Sequence, residues 1–449
     1  MPLQKRLLDA PMVAPLKVGL AGLGTVGASV VRLIDQQRQE LALRAGRPIE
    51  IVAVSARSRG KDRGIDTKKF RWVADPAKLA ADPEIDAFVE LIGGEGNPAR
   101  ASVTAALNAG KPVVTANKAL LARHGIELAT LAERHRVALN FEASAGGAIP
   151  IVKTLREGLA GNAITRIYGI LNGTCNYMLT RMERERLSFD DCLKEAQRLG
   201  YAEADPSFDI EGQDTAQKLS ILASLAFGTR VDPAAVYVEG ITSITTADLE
   251  AADALGYRIK LLGVAVRTDK GIEQRVHPTM VPKDSAIAQV MDVTNAVTID
   301  AAGIAPITLV GPGAGGAATA SAVVADIADI ARGMRQAPFG RPSAKLVVSH
   351  KAPMQRHEGG YYIRLMAVDK PGSAATIAKR LAQHNISMES IVQRHSGPPA
   401  GGTIKGQGPV PVILITYATT EDAVRKALAA VQRDKVISGR PQLIRIEKN

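Results

Sequence analysis

Residues 16–144 alternate short, nearly continuous apolar runs with stretches whose apolar positions recur at helical spacing. The runs LKVGLAG, IEIVAVSAR, IDAFVELIGG, KPVVTANKA and VALNFEAS read as strands. Between them, TVGASVVRLIDQQRQELALRAG predicts one helix closed by Gly46. NPARASVTAALNAG predicts another, with Asn97 as N-cap, Pro98 at the first helical position and Gly110 at the end. Strands apolar on both faces, alternating with helices, imply an α/β class with a doubly wound parallel sheet.

The pattern changes after residue 150. AITRIYGILNG and RIKLLGVAVR read as strands among helices, one of which, SFDDCLKEAQRLG, opens on a Ser188/Asp191 capping box. This predicts an α+β domain. From Val310 a second glycine-rich turn, VGPGAGG, leads into a helix of small residues suited to close packing on the first domain. From Tyr361 the order is βαββαβ, a ferredoxin-like sandwich. The expected organisation is a dinucleotide-binding domain at 1–145 plus 310–345 and a substrate-binding and dimerisation domain at 146–309. A Pro/Gly-rich linker at 346–360 and a separable C-terminal domain at 361–449 follow.

Composition narrows the function classes. The chain has 449 residues, enough for two or three domains, and is 46% hydrophobic. No apolar run reaches eighteen residues, so no membrane span is expected. The first fifteen residues hold two basic residues and no long apolar run, so they read as a tail rather than a leader. Nothing resembling a kinase extension precedes Met1, so a monofunctional chain is expected. Two cysteines, Cys175 and Cys192, cannot build a disulfide framework, and a reducing cytoplasm is the simplest setting. The net charge of +11 is spread along the chain without a nucleic-acid reader motif, so no nucleic-acid partner is expected. The seven histidines show no metal-ligand spacing.

The first turn carries chemistry. Gly22-Leu23-Gly24-Thr25-Val26-Gly27 follows a strand and opens a helix, the context in which G-x-G-x-x-G binds a pyrophosphate. Gly22 makes the turn, Gly24 admits the phosphates, Gly27 lets the helix pack, and the helix N-terminus faces the anion. This makes the first domain Rossmann-type. The second strand ends SARSRGK, with Arg57, Arg59 and Lys61 where an NAD site carries an acid, so NADP(H) is preferred and NAD(H) possible. Ligands in such folds sit at the carboxyl ends of strands, which brings in Gly93, Thr115 and Lys118.

GYAEADPSFDIEGQDTAQKLSI holds Glu203, Asp205, Asp209, Glu211 and Asp214 and then Lys218. Asp214 and Lys218 are four apart on a predicted helix. Taken alone, they are an ordinary helix pair worth about 0.2–0.5 kcal/mol. The motifs GLGTVG, TANKALLA, FEASAGGAIP, LNGTCNYM, GYAEADPSFDIEGQDTAQKL and GPGAGGAATASAV, in this order over about residues 16–345, resemble homoserine dehydrogenase. The resemblance implies reversible NAD(P)-dependent conversion of L-homoserine to L-aspartate 4-semialdehyde, on the route to threonine, isoleucine and methionine. It implies that Glu203, Asp209 and Asp214, with Tyr201, Gly173 and Thr174, hold the substrate. Lys218 would exchange the hydroxyl proton, and Lys118 would polarise the same oxygen or position substrate and nicotinamide. Gly200 and Gly313 join the cofactor set. Glu142 and the carbonyls of Ala145, Gly147 and Ile149 would hold sodium. Cys175 tempts a thioester mechanism, but NGTCNYM is the homoserine dehydrogenase pattern, and both cysteines read as buried small residues.

VDKPGSAATIAKRLAQHNISMESI resembles the ACT family of amino-acid-sensing domains, through Asp-Lys-Pro-Gly at the strand–helix turn and the Asn385-Ile386 turn. The implied effector is L-threonine and the implied assembly a homodimer or homotetramer. A bare dimerisation module is the alternative for this unit. For the whole chain the rival is a non-catalytic sensor of redox and amino-acid state; it has no use for a proton-transferring lysine.

Overall fold

A computed structural model of the chain describes residues 13–348, 358–393 and 409–447. The N-terminal tail, most of the expected linker and the Gly/Pro-rich stretch 396–408 lie outside the described residues. The chain divides into two compact units. The first comprises Met1–Ile167, Gln217–Ala235 and Asn295–Ser349, the second Tyr168–Ala216, Val236–Thr294 and His350–Asn449.

The first unit is built on strands β1 (Leu16–Ala21), β2 (Ile49–Ser55), β3 (Arg71–Trp72), β4 (Ala87–Glu90), β5 (Val113–Thr115) and β6 (Leu139–Asn140). Their order is β3-β2-β1-β4-β5-β6, parallel throughout. The chain reverses direction beside β1, which is where a doubly wound sheet opens a crevice for a ligand. Val30, Val31 and Ile34 of the helix Thr25–Gln36 share a core with Val323 and Ile327 of the helix Gly316–Ala331. The small residues allow this approach: a Cβ on Gly316 would stand 2.7 Å from Ser29 Oγ.

Three local expectations shift. The helix predicted over 25–45 breaks at Gln37 (φ −105°, ψ 15°), because Gln36 to Glu40 offers no apolar residue to hold a further turn on the sheet. Gly46 ends the second piece at φ +76°. The helix predicted from Pro98 starts at Ala99, although Asn97 Oδ1 still accepts from Ala101 N at 3.2 Å. The last predicted strand stops after Asn140, where Phe141 turns the chain into a buried 3₁₀ turn, Glu142–Ser144.

The first unit also runs past residue 145 and takes back Asn295–Ser349. Backbone bonds hold these segments together: Ala148 N donates to Pro312 O and Ala302 N to Ala163 O.

In the second unit the strands Tyr257–Thr268 and Gly271–Pro282 form a long antiparallel hairpin. The C-terminal module has strands Glu358–Ala367, Met388–Gln393, Val410–Thr416 and Ile437–Ile446, with helices Ser373–Gln383 and Glu421–Arg433. Its order is fourth-first-third-second, antiparallel, around Ile363, Leu365, Ile377, Leu414, Val424 and Val431. Asn385 takes the left-handed conformation (φ 56°) at the turn into the second strand.

The module is not set apart from the middle segment. Its fourth strand pairs in parallel with Gly271–Pro282 through Thr279↔Arg445 and Met280↔Ile446, and Glu447 N donates to Met280 O at 3.0 Å. The fold is therefore a Rossmann-like parallel sheet, a mixed-sheet region and a ferredoxin-like module. Among the described residues, no helix is long and apolar enough to cross a membrane.

Candidate active site

Three constructions carry the candidate site residues. The first is the crevice at the end of β1, a cavity of about 650 Å³ in the first unit. Gly22 (φ +102°) turns tightly under it, and a Cβ there would lie 2.3 Å from Leu91 O. A Cβ on Gly27 would lie 2.0 Å from Gly22 O, while one on Gly24 meets nothing within 4 Å. So Gly22 and Gly27 are glycines for the fold, and Gly24 leaves open space beside the first turn of the helix Thr25–Gln36, which also holds Val26. Leu23, Arg57, Ser58 and Lys61 line the cavity, and Arg57, Arg59 and Lys61 are exposed.

Arg63, which the sequence reading passed over, pins this loop. It donates to Leu23 O at 2.8 Å, to Lys61 O at 2.6 Å and to Ser58 O at 2.5 Å, and lies over the Trp72 ring. An open cavity with backbone N–H groups at a helix start and cationic side chains fits a dinucleotide carrying an extra phosphate.

Next to the cradle, buried Glu90 organises the ends of β4 and β5. Its carboxylate accepts from Thr115 Oγ1 at 2.5 Å, Ile92 N at 2.7 Å and Gly93 N at 3.0 Å. Gly93 and Gly94 both turn with positive φ, and Gly94 O accepts from Asn117 Nδ2 at 2.7 Å. Asn117 Oδ1 caps the helix Lys118–His135 through Leu120 N, which places half-buried Lys118 in its first turn. Thr115 thus spends its proton on Glu90, and its oxygen accepts from Asn117 N.

The second construction is the Glu142 turn. The buried Glu142 carboxylate accepts from Val152 N and Lys153 N, both at 2.8 Å, and Glu142 N donates to Asp326 Oδ2 at 2.8 Å. Lys153 Nζ reaches Asp326 at 3.3 Å and Asp329 at 2.5 Å. Burial, with Asp326 adding to it, pushes Glu142 up to about 7. Burial likewise pushes Asp326 up to about 6, against the pull of Lys153. Both Glu142 oxygens take backbone N–H groups and keep a second lone pair, and with the carbonyls of the turn that follows they are hard oxygen donors, the kind a small cation selects. Ile149 O also accepts from Ile151 N at 2.7 Å. Gly147 (φ +59°) lies against the second glycine turn: a Cβ there would meet the Gly313 carbonyl carbon at 2.4 Å. A Cβ on Gly313 would in turn strike the Asn295 side chain.

The third construction, in the second unit, is the acid cluster. Asn172 caps the helix Gly173–Glu185, its Oδ1 accepting from Cys175 N at 2.8 Å. Its Nδ2 donates to Asp209 Oδ1 at 2.7 Å and to Asp214 Oδ2 at 2.9 Å, joining the two acids through one amide. Asp214 is buried and Asp209 half-buried, whereas Glu203 is exposed. Thr174 Oγ1 donates to Tyr201 O at 2.7 Å, and the Tyr201 ring stands edge-on to Tyr177 just after Gly200 (φ +76°). Half-buried Lys218 follows Asp214 by four residues on the helix Gln213–Phe227, past Ala216, and so belongs to the first unit. Cys175 is buried and its Sγ donates to Asp209 O at 3.2 Å; burial pushes the Cys192 thiol up to about 11. Neither cysteine is presented as a nucleophile.

Family models described as homoserine dehydrogenase, NAD binding domain, and homoserine dehydrogenase match residues 22–142 and 150–328, and an ACT-domain model matches 361–432. A homoserine dehydrogenase of Pseudomonas aeruginosa is 44% identical over 442 residues, 97% of this chain and 99% of that protein. The chain belongs to the homoserine dehydrogenase family. The Neisseria gonorrhoeae homoserine dehydrogenase is 43% identical over 96% of this chain and 99% of its own. The crystal structure of a homoserine dehydrogenase from Thiobacillus denitrificans aligns with TM-score 0.90 at 41% identity, covering 98% of this chain and 100% of that one. A hyperthermophilic archaeal homoserine dehydrogenase in complex with NADPH aligns with TM-score 0.60 at 26% identity, over 70% of this chain and 97% of that one.

Membership in the homoserine dehydrogenase family makes this an oxidoreductase acting on a CH–OH group and removes the non-catalytic sensor reading. It also gives meaning to the residues that sequence reasoning missed. Asn172 had a signal, an asparagine placed to cap a helix just before Gly173. Glu90 had none beyond its place at a strand end, and Arg63 none beyond its charge.

Proposed function

We propose that this enzyme interconverts L-homoserine and L-aspartate 4-semialdehyde and favours NADP(H) over NAD(H). The observation that carries the substrate reading is the Asn172 amide gathering Asp209 and buried Asp214. Two carboxylates gathered on one amide favour positive charge beside them, and homoserine brings an ammonium group. Glu203, Tyr201, Gly173 and Thr174 complete the substrate set, and Gly200 and Gly313 the cofactor set.

In the oxidative direction Lys218 takes the hydroxyl proton while the carbinol carbon gives up its hydride. The bound nicotinamide supplies the hydride acceptor. Lys118 polarises the same oxygen or positions substrate and ring. In the reverse direction Lys218 returns the proton to the oxygen of the semialdehyde. Arg57 with Lys61 receives the 2′-phosphate, supported by their place on the cavity wall and by the NADPH complex of the archaeal relative. Glu142, with the carbonyls of Ala145, Gly147 and Ile149, binds sodium. L-Threonine binds the ACT domain and inhibits, in a homodimer or homotetramer; the ACT-family match supports a small-molecule effector.

Absorbance at the nicotinamide band tests the reaction directly. Purified enzyme with L-homoserine and NADP⁺ is expected to produce the reduced band, and the full chain to slow when L-threonine is added. No reduction with homoserine would refute the substrate assignment.

A further inference from the structure

The substrate loop between the two central acids rests on a short segment, Tyr237–Ile241, of the same unit. Ile241 N donates to Ile210 O at 2.8 Å. A Cβ on Gly240 would stand 2.3 Å from Ile210 O and 2.6 Å from Glu211 Cα. From the other side, a Cβ on Gly212 would stand 3.0 Å from the side chains of Val238 and Val276. The backbone joining Asp209 to Asp214 is therefore seated on residues 238–241 without room for a methyl group.

Glu239 sits in the middle of this seat, and the C-terminal module holds it. Its N–H donates to Val276 O at 2.8 Å. Its carboxylate takes Arg445 Nη1 at 2.7 Å, Arg425 Nη2 at 3.2 Å and the Tyr237 hydroxyl. Arg445 is 1% exposed and lies over the Tyr237 ring. It also forms a two-pronged pair with buried Glu421, at 2.8 and 2.7 Å. Burial alone would raise the Glu239 carboxyl; the Arg445 guanidinium outweighs it and holds Glu239 below the usual carboxylate range.

Further links join the module to the middle segment: Asp248 accepts from Arg364 at 2.7 Å and from the Tyr362 hydroxyl at 3.0 Å, and Arg275 donates to Glu447 at 2.6 Å.

We infer that Glu239 is a positioning residue for homoserine binding, and that Arg445 of the C-terminal module fixes it, so that the module helps to set the geometry of the acid cluster. Glu421 fixes the buried Arg445 guanidinium from one side and Glu239 takes it from the other at 2.7 Å; charged bonds are directional, so a shift of the fourth strand of the module moves Arg445 and Glu239 together. The Gly240 seat then transmits the shift to Ile210 and Glu211, which lie between the acids. The inference rests on the reading of Asp209 and Asp214 as ammonium ligands.

The test compares kinetic constants in the full-length enzyme. Glu239→Gln keeps the shape and removes the charge. It is expected to raise KM for homoserine by about tenfold, as loss of a charge-assisted bond that orients ground state and transition state alike. Dissociation of NADPH, read by its fluorescence, should stay at the wild-type value. Arg425→Met, at a half-exposed position, should raise the same KM by about threefold. Asp214→Asn is the control for the underlying reading. If Asp214→Asn leaves homoserine KM unchanged, the ammonium reading fails. If Asp214→Asn raises it while folded Glu239→Gln and Arg425→Met do not, the positioning role of Glu239 fails. Should Glu239→Gln not fold, Arg425→Met decides alone.

Discussion

At the scale of single residues, the site divides into groups placed for ligands and groups that hold those in place. Arg57 is exposed on the cavity wall, where the proposed 2′-phosphate site puts it in the first kind. Arg57→Ala should lower the preference for NADPH over NADH by roughly tenfold, the worth of one charge-assisted phosphate contact, as measured by kcat/KM for each cofactor. A wild type that uses both equally would end the 2′-phosphate assignment. Lys218→Ala should cut kcat by roughly 10²–10⁴ with NADPH dissociation unchanged. Retention of most of kcat would move the proton to Lys118 or to water.

The charged members of the candidate site stand in motifs that the sequence itself displays. Their supports were less legible. Asn172 had only its capping place as a local signal; its contact to Asp214, that of Glu90 to Thr115 and that of Arg63 to Leu23 span 25 to 42 residues, which no local pattern reports.

At the scale of elements, the parallel sheet and the βαββαβ module were legible because apolar periodicity follows burial directly. Helix ends were not, since Gln37 and Pro98 obey local backbone geometry that the apolar pattern does not see. The glycines of the cradle separate into two kinds that mutation can tell apart. Gly27→Ala puts a methyl against Gly22 O and should lower the melting temperature. Gly24→Ala meets open space, so its melting temperature should stay near wild type while KM for NADPH rises. Equal thermal loss in both would mean that Gly24 is also a packing glycine. At the second glycine turn, Gly147→Ala combines positive φ with a clash, and should cost about 1–3 kcal/mol in a denaturant melt.

At the scale of the whole molecule, pH and chain integrity are the informative variables. Glu142 and Asp326 have folded-state values raised to about 7 and about 6. Each binds a proton more tightly folded than unfolded, so each stabilises the fold fully below about pH 4. That contribution fades as pH rises through 6 to 7. In sodium-free buffer, wild type should lose stability relative to Glu142→Gln between pH 4.5 and 7.5, as scanned by denaturant melts, within a window set by those values. Sodium should flatten the difference. A difference that is flat in both buffers would remove the cation from this turn.

The sequence suggests that the C-terminal module is separable; the structure gives it buried partners in the middle segment. A chain stopped near Arg341 leaves Asp248 without Arg364 and Tyr362. Breaking a buried pair from one side costs about 3–5 kcal/mol, so the truncated chain should recover poorly in the soluble fraction and be inactive there. A soluble, active truncation would show that the middle segment is complete without the module.

The parallel pairing of Ile437–Ile446 with Gly271–Pro282 has a consequence for how the protein comes into being. A ribosome makes the chain from the N-terminus, and the middle strand emerges long before the partner it pairs with. Until that partner arrives, the nascent chain carries an open strand edge and unneutralised charges at Asp248 and Glu239, the kind of surface that chaperones bind and that aggregates when left uncovered. Completion of the second unit is thereby tied to completion of the polypeptide, so a prematurely terminated product keeps that open edge.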